Sequence, residues 1–177
     1  FNNKDVQNIN IDDEGVIILN QTTFYGESGG QIGDKGSLYS DKFVFAVSNT
    51  TKIFGSFFLH WGKVVNGTGN IGDQVTASIN AKKRNLIRNN HSATHLLHES
   101  LRQILGNHVT QKGSLVNDEK LRFDFSHNDP IDNKDLEKIE KIVNKIILQK
   151  SSVKTEILNQ QTAIDKGAIA LFGEKYE

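Results

Sequence analysis

The chain has 177 residues, of which 36% are hydrophobic and 24% charged, the profile of a folded globular protein rather than a disordered one. Its 21 basic and 21 acidic residues cancel, which excludes a general electrostatic grip on nucleic acid and leaves only local patches for an anionic partner. The absence of Cys excludes disulfides, thiolate metal ligands and a Cys nucleophile from this chain.

Residues 1–81 read as β structure. Val16-Ile17-Ile18-Leu19 is a short apolar run, and Thr22–Tyr25 continues it in a β-favouring composition. Phe43, Phe45 and Val47 alternate with Val44, Ala46 and Ser48. Phe57–Trp61 and Val75–Ile79 are further strand candidates. Turn signals separate them: Gly29-Gly30, Gly33-Asp34, Ser40-Asp41, Asn66-Gly67-Thr68-Gly69 and Gly72-Asp73. Short strands at this spacing predict a small barrel or sandwich.

Residues 82–177 read as α+β. Leu86, Ile87, Ala93, Leu96, Leu97, Leu101 and Ile104 give Lys82–Leu105 a helical period, and Gly106 is placed to end the helix. Thr110–Leu115 and Lys120–Phe125 read as strands. Asp132–Gln149 is a second amphipathic helix opened by Pro130-Ile131-Asp132, with Leu136, Ile139, Ile142, Val143, Ile146 and Ile147 marking its buried face. Val153–Leu158 is a further strand candidate, Gln161–Gly167 a short helix or turn, and Ile169–Phe172 an apolar run. The junction near Asn80–Arg84 reads as tight, with no linker composition.

Three groups of residues could carry chemistry. His91 and His95 stand four apart, so on a helix they share one face, Cβ atoms about 5–6 Å apart. That spacing lets both imidazoles reach one Zn²⁺ at about 2.0–2.1 Å. A pair this short is equally consistent with surface or core histidines. Ser92 stands where the H-E-x-x-H metalloprotease motif needs its Glu, which disfavours that chemistry. His98 could join the same face but reads better as a solvated position. In Thr22–Gln31, the Gly29-Gly30 pair permits close approach of a ligand to the backbone, while Thr22 and Gln31 offer polar contacts. On these residues alone a plain hairpin with a Gly-Gly turn is the favoured account. Lys82, Lys83, Arg84 and Arg88, with Lys112, form a basic cluster that could meet phosphates or could be a solvated helix start. Cations gain nothing from the dipole at a helix N-terminus, a mild misfit that favours an outside anion.

Taken in order, these segments resemble the editing domains of alanyl-tRNA synthetases. Thr22–Asp34 is similar to the family's glycine-rich segment, and Arg88–His98 to its zinc-binding helix. Val109–Val116 and Leu121–His127 resemble its following strands, and Ala170–Tyr176 the segment before its last metal ligands. The likeness runs from about Gly15 to the end of the chain. It implies a small N-terminal β-barrel packed on the α+β domain common to threonyl- and alanyl-tRNA synthetases and free-standing editing proteins, here truncated at the C-terminus. It implies hydrolysis of Ser-tRNA(Ala) and Gly-tRNA(Ala), with Gln31 and Thr22 as catalytic residues and Gly29, Gly30 and Asp124 as substrate contacts. It implies zinc held by His91 and His95 plus a Cys and a His from a later C-x-x-x-H motif. This chain lacks that motif, so it is expected to bind zinc weakly or not at all and to be inactive alone. The first residue is Phe1 and there is no Met, which suggests a piece of a longer, ATP-binding alanine--tRNA ligase. The expected partners are the tRNA(Ala) acceptor end and the rest of the synthetase chain, with no membrane. The expected setting is cytoplasmic, for want of a signal segment or an apolar run of about 20 residues. A free-standing trans-editing deacylase and a non-catalytic tRNA-acceptor binding module are the alternatives.

Overall fold

The computed structural model describes residues 5–154 and 156–167. The chain forms two compact units, one reaching to His95 and including Lys112–Asp124, the other made of Leu96–Gln111 and the described residues from Phe125 onward. The architecture is α+β.

The first unit is built on an antiparallel sheet of six strands: β1 (Asn8–Asn10), β2 (Glu14–Ile18), β3 (Gly36–Ser40), β4 (Phe43–Ile53), β5 (Phe57–Asn70) and β6 (Thr76–Ile79). The order is β1-β5-β4-β3-β6, with β2 also paired to β5. Strand β5 is long enough to hold β2 against Leu59–Lys63 and β1 against Thr68–Asn70. Alternation in β4 turns Phe43, Phe45 and Val47 into a core with Phe24, Leu38 and Val64. Ile9 and Ile17 from one end of the order and Ala77 and Ile79 from the other pack on that same core, so the sheet curls around it. No ladder among the described residues joins β6 to β1 or β2. The closed barrel expected from the sequence is therefore not found.

The strand pattern departs from expectation at several points, each for a local reason. Asn66–Gly69 is not a turn but lies inside β5. Gly67 has φ of 73°, and a Cβ there would stand 1.8 Å from the Lys42 carbonyl oxygen. Register shifts between Val44 and Phe45 and between Val47 and Asn49 leave Val65 and Ser48 unpaired and bend the hairpin. Gly33 and Asp34 form no turn either; a Cβ on Gly33 would meet the Thr50 carbonyl oxygen at 1.9 Å. Thr22–Tyr25 is not a strand, because side chains take its amides: Phe24 N–H donates to Thr22 Oγ1 and Tyr25 N–H to Asp34 Oδ2. Strands β1 and β3 go unforeseen because Asn, Gly and Ser dominate them.

Helix α1 (Ala81–Leu105) begins where Asn80 Oδ1 accepts the Lys83 N–H at 3.1 Å and ends at Gly106, whose φ is 116°. Ile87 and Leu101 are buried, while Leu86 is exposed. Strands β7 (Gln111–Val116) and β8 (Leu121–Phe125) pair with each other. In the second unit, α2 (Asn133–Gln149) is capped by Asp132, which accepts from Asp135 N–H. Of its expected buried face only Ile139 is buried; Leu136 and Ile147 are about half exposed, at 47% and 50%. Helix α3 spans Gln160–Asp165, starting one residue before the expected short helix or turn and ending two residues before its end. The strand expected over Val153–Leu158 does not form among its described residues, where Val153 and Ile157 are exposed. The apolar run Ile169–Phe172 and the segment Ala170–Tyr176 lie outside the described residues.

The two ways a glycine can be obligatory are separable. Gly67→Ala meets both a left-handed backbone and a carbonyl oxygen, whereas Gly72→Ala meets only a φ of 89° in open space. Gly72→Ala should cost about 1 kcal/mol and Gly67→Ala about 2–4 kcal/mol in urea unfolding followed by Trp61 fluorescence. Equal losses would show that the Lys42 contact relaxes freely.

Candidate functional site

Ser28–Gln31 makes a tight reversal. Ser28 N–H donates to the Gln31 carbonyl at 3.2 Å, and Gln31 N–H to the Ser28 carbonyl at 2.9 Å. Both central residues have positive φ, 57° at Gly29 and 81° at Gly30, which is why two glycines stand there. The reversal lies along β7: Val116 N–H donates to the Gly30 carbonyl, and Ile32 N–H to the Val116 carbonyl. A Cβ on Gly30 would stand 2.5 Å from the Ser114 carbonyl oxygen. Gln31 is thereby fixed by its backbone, and its side chain is buried.

From that position Gln31 Oε1 meets His91 Nδ1 at 2.6 Å. An amide oxygen only accepts, so Nδ1 of His91 is the donor, and in the neutral ring this arrangement puts the lone pair on Nε2. A ring nitrogen with its partner nitrogen tied to an amide or carbonyl oxygen is the usual arrangement of a metal-binding imidazole. His95, one turn on, lies with its ring centroid 5.1 Å from that of His91 and the planes inclined by 17°. The donor set is half of what zinc needs. Among the described residues no group of three or more His, Cys, Asp or Glu side chains comes close enough to hold a metal ion. His98 is not the solvated position expected: it is buried, and its Nε2 lies 3.3 Å from the Val109 carbonyl.

The other candidates sit as follows. Asp124 on β8 faces Gly113 of β7, where a Cβ would come within 2.7 Å of Asp124 Oδ2, and it accepts from Arg122 Nε at 3.2 Å. Thr22 is bonded to neither Gln31 nor His91. Its hydroxyl meets His60 Nε2 at 2.8 Å, and Thr22 lines a groove walled by Ile18–Thr23 on one side and Gly72–Val75 with Ala77 on the other. Two members of the basic cluster turn inward. Lys83 pairs with Asp118 at 2.9 Å, which holds the Asp118 carboxyl below its ordinary range, chiefly by the hydrogen bond from Lys83. Arg84 pairs with buried Asp34. Lys82, Arg88 and Lys112 are exposed.

Sequence reasoning missed His60 and Asp34. His60 is fully buried on β5, with Nδ1 2.9 Å from the Ile17 carbonyl and its ring edge-on to Phe24. Burial pushes its pKa below the ordinary 6.5, the bond to the Ile17 carbonyl opposing this in part. A lone His in an apolar strand gives no sequence signal, because its partners are 38 and 43 residues away.

Residues 1–83 match the family of tRNA synthetases class II (A). The match covers the whole six-stranded sheet, the Gly29–Gly30 reversal, Gln31, Thr22 and His60, and stops short of His91. The match supports an aminoacyl-tRNA synthetase-related domain over these residues, and with it a part in protein biosynthesis. No helix among the described residues is long and apolar enough to cross a membrane.

The neutral state of His60 has a consequence for stability. A base with a depressed folded-state pKa binds fewer protons folded than unfolded. Its stabilisation is complete above about pH 6.5 and declines as the pH falls toward the folded-state value, by at most about 1.4 kcal/mol per pH unit. Chemical denaturation between about pH 7.5 and pH 5.5 should therefore show a steeper loss for the wild type than for His60→Gln, which has no proton to gain. Parallel slopes would mean that His60 titrates normally.

Proposed function

We propose that the chain is the editing portion of an alanine--tRNA ligase, acting on the ester that links Ser or Gly to tRNA(Ala). The single observation that supports this most is the Gln31–His91 hydrogen bond. Two motifs 60 residues apart, each ambiguous alone, meet through one side chain from each. In this reading residues 1–81, whose curled sheet no described ladder closes, form the β subdomain, and residues 82–177 form the α+β editing part. The partners are the acceptor end of tRNA(Ala) and the rest of the synthetase.

In the proposed mechanism His91 and His95 would hold zinc together with ligands from a C-x-x-x-H motif of the synthetase that is not in this sequence. When bound, the metal would polarise the ester carbonyl or lower the pKa of a water molecule. The chain's own residues do the rest. Gln31 accepts from His91 Nδ1 and so would favour the tautomer whose Nε2 is available as a metal ligand. The Gly29-Gly30 backbone lets the aminoacyl end approach closely, and Asp124 at the edge of β8 is a substrate contact. Thr22 recognises the seryl side chain. A site that hydrogen-bonds a hydroxyl can reject the analogue lacking it by up to about 10⁴–10⁵-fold, which explains polar groups at a site that must spare alanine. In this reading two imidazoles alone would not complete the zinc site, and the chain by itself would bind the acceptor end without hydrolysing the ester.

The test is deacylation of Ser-tRNA(Ala) and Gly-tRNA(Ala), with Ala-tRNA(Ala) as control, by this chain and by a longer protein that includes the C-x-x-x-H segment. The longer protein should hydrolyse both mischarged substrates and this chain neither. Gln31→Ala in the longer protein should slow hydrolysis of Ser-tRNA(Ala) by about 10–100-fold. Unchanged hydrolysis would remove Gln31 from the site, and inactivity of the longer protein would remove the function.

Zinc provides a separate check. This chain, loaded and then dialysed, should release its metal, since two imidazoles leave half the coordination sphere to water. Retention of one zinc per chain would show that the remaining ligands are already present.

A further inference from the structure

The hairpin of β4 and β5 ends in a turn whose sequence and backbone disagree. Phe54 and Gly55 have φ of 48° and 72°, and Ser56 N–H donates to the Ile53 carbonyl at 3.3 Å. Reversals with two positive φ values in succession favour Asn-Gly or Gly-Gly, and the Gly29-Gly30 reversal of this same chain obeys that rule. A phenylalanine in the left-handed region is strained by its Cβ. Phe54 recovers nothing through burial, since it is 90% exposed. Its apolar neighbours have a local account. Ile53 and Phe57 face each other across the ladder, and such cross-strand pairs stabilise a hairpin. Phe54 lies beyond the last pair of the ladder, where that account does not reach.

The charge around the tip is one-sided. From Lys42 to Gly72 the chain carries three lysines and neither Asp nor Glu. Lys63 is paired with Asp12, whereas exposed Lys52 stands opposite Phe58 with its ammonium 5.4 Å from the ring centroid. The hairpin also borders the segment that leads to the candidate site. A Cβ on Gly26 would stand 2.9 Å from Lys52 Cβ and 3.2 Å from the Phe58 ring, and Glu27 N–H donates to the Thr50 carbonyl, below the tip. Gly26 leads directly into the Gly29-Gly30 reversal, whose Gln31 meets His91. An exposed ring beside an ammonium group is the chemistry that holds single-stranded nucleic acid: the ring stacks on a base and the cation takes a phosphate. We infer that this tip is a stacking platform for an unpaired nucleotide of an RNA strand, with Phe54 covering the base and Lys52 contacting the phosphate backbone. The identity of the RNA rests on the editing reading, in which the nucleotide belongs to the unpaired 3′ end of tRNA(Ala).

The test separates stacking from folding. Phe54→Asn puts the favoured residue at the turn, so this chain should become more stable, read as a higher urea midpoint, while losing RNA affinity. The probes are a hairpin RNA with the tRNA(Ala) acceptor stem and its unpaired 3′ end, and the same stem cut flush. Phe54→Asn and Phe54→Leu should each bind the overhanging RNA about tenfold more weakly than the wild type, and Phe54→Tyr should bind it equally well. None of the three should change binding of the flush stem. Lys52→Gln should reduce the slope of log affinity against log salt by about 0.7 on the overhanging RNA. Wild-type affinity in Phe54→Asn or Phe54→Leu overturns the inference, as does an equal loss on the flush stem or failure of the wild type to bind either RNA. If the tip docks on protein instead, the wild type should self-associate in sedimentation, Phe54→Asn should remove that association and RNA binding should stay unchanged, which also overturns it. In each of these cases the editing reading still stands or falls on deacylation by the longer protein. RNA binding that depends on Phe54, alongside an inactive longer protein, keeps the platform and removes the editing reading.

Discussion

The ion pair between Asp34 and Arg84 is the interaction on which the geometry of the first unit depends. Asp34 is 2% exposed, and every polar group it has is engaged. Its carboxylate accepts from Arg84 and from Tyr25 N–H, its own N–H donates to the Tyr25 carbonyl, and its carbonyl accepts from Thr50 Oγ1. Arg84 also donates to the Thr23 carbonyl, and its guanidinium is held more firmly protonated by the hydrogen bond to Asp34. Asp34 thus joins three parts of the chain: through its carboxylate the irregular segment after β2 and the first turn of α1, and through its carbonyl Thr50 of β4. Removing Arg84 would leave the buried Asp34 carboxylate without its cation, at a cost of up to about 3–5 kcal/mol. Thr22 through Gln31 is held in place on one helix whose next turns carry His91 and His95.

Close backbone approach is the second constraint. Gly33, Gly62 and Gly67 each meet a carbonyl oxygen where a Cβ would stand, at 1.9, 2.0 and 1.8 Å. Among the described residues, no buried side-chain nitrogen or oxygen lacks a hydrogen-bond partner, so the tight arrangement strands no polar side chain. Glycine in this protein therefore serves close approach as often as chain reversal.

That dual use explains which parts of the fold were legible in the sequence. The alternation of Phe43, Phe45 and Val47 and the helical period up to Leu105 reflect local geometry, and both elements appear where the pattern puts them. Gly67 and Gly33 looked like turns because a sequence does not distinguish a glycine needed for its φ from one needed for its missing side chain. Thr22–Tyr25 looked like a strand because nothing nearby announces that Asp34 will take the Tyr25 amide. The site divides in the same way. The helical spacing of His91 and His95 and the Gly29-Gly30 pair are local signals. The placement of Lys83 against Asp118, of Arg84 against Asp34 and of His60 against Thr22 depends on partners 35, 50 and 38 residues away, which no spacing rule reaches.

Gln31 shows why long-range closure matters more than motif content. Its backbone is set by the glycine reversal and by a bridge to Val116, so its side chain has one direction in which to extend. That direction ends on His91. A neutral amide there fixes the imidazole tautomer without adding charge, whereas a carboxylate in the same place would favour imidazolium and compete with a metal for the ring. A shorter Asn on the same backbone would fall short of the ring and leave Nδ1 to choose another acceptor. The reversal, strand β7 and helix α1 are thus coupled through one residue, and the free nitrogen of His91 is oriented before any ligand arrives. Preorganisation of this kind is paid for in folding rather than in binding, and the buried ion pair at Asp34 holds the helix that makes it possible.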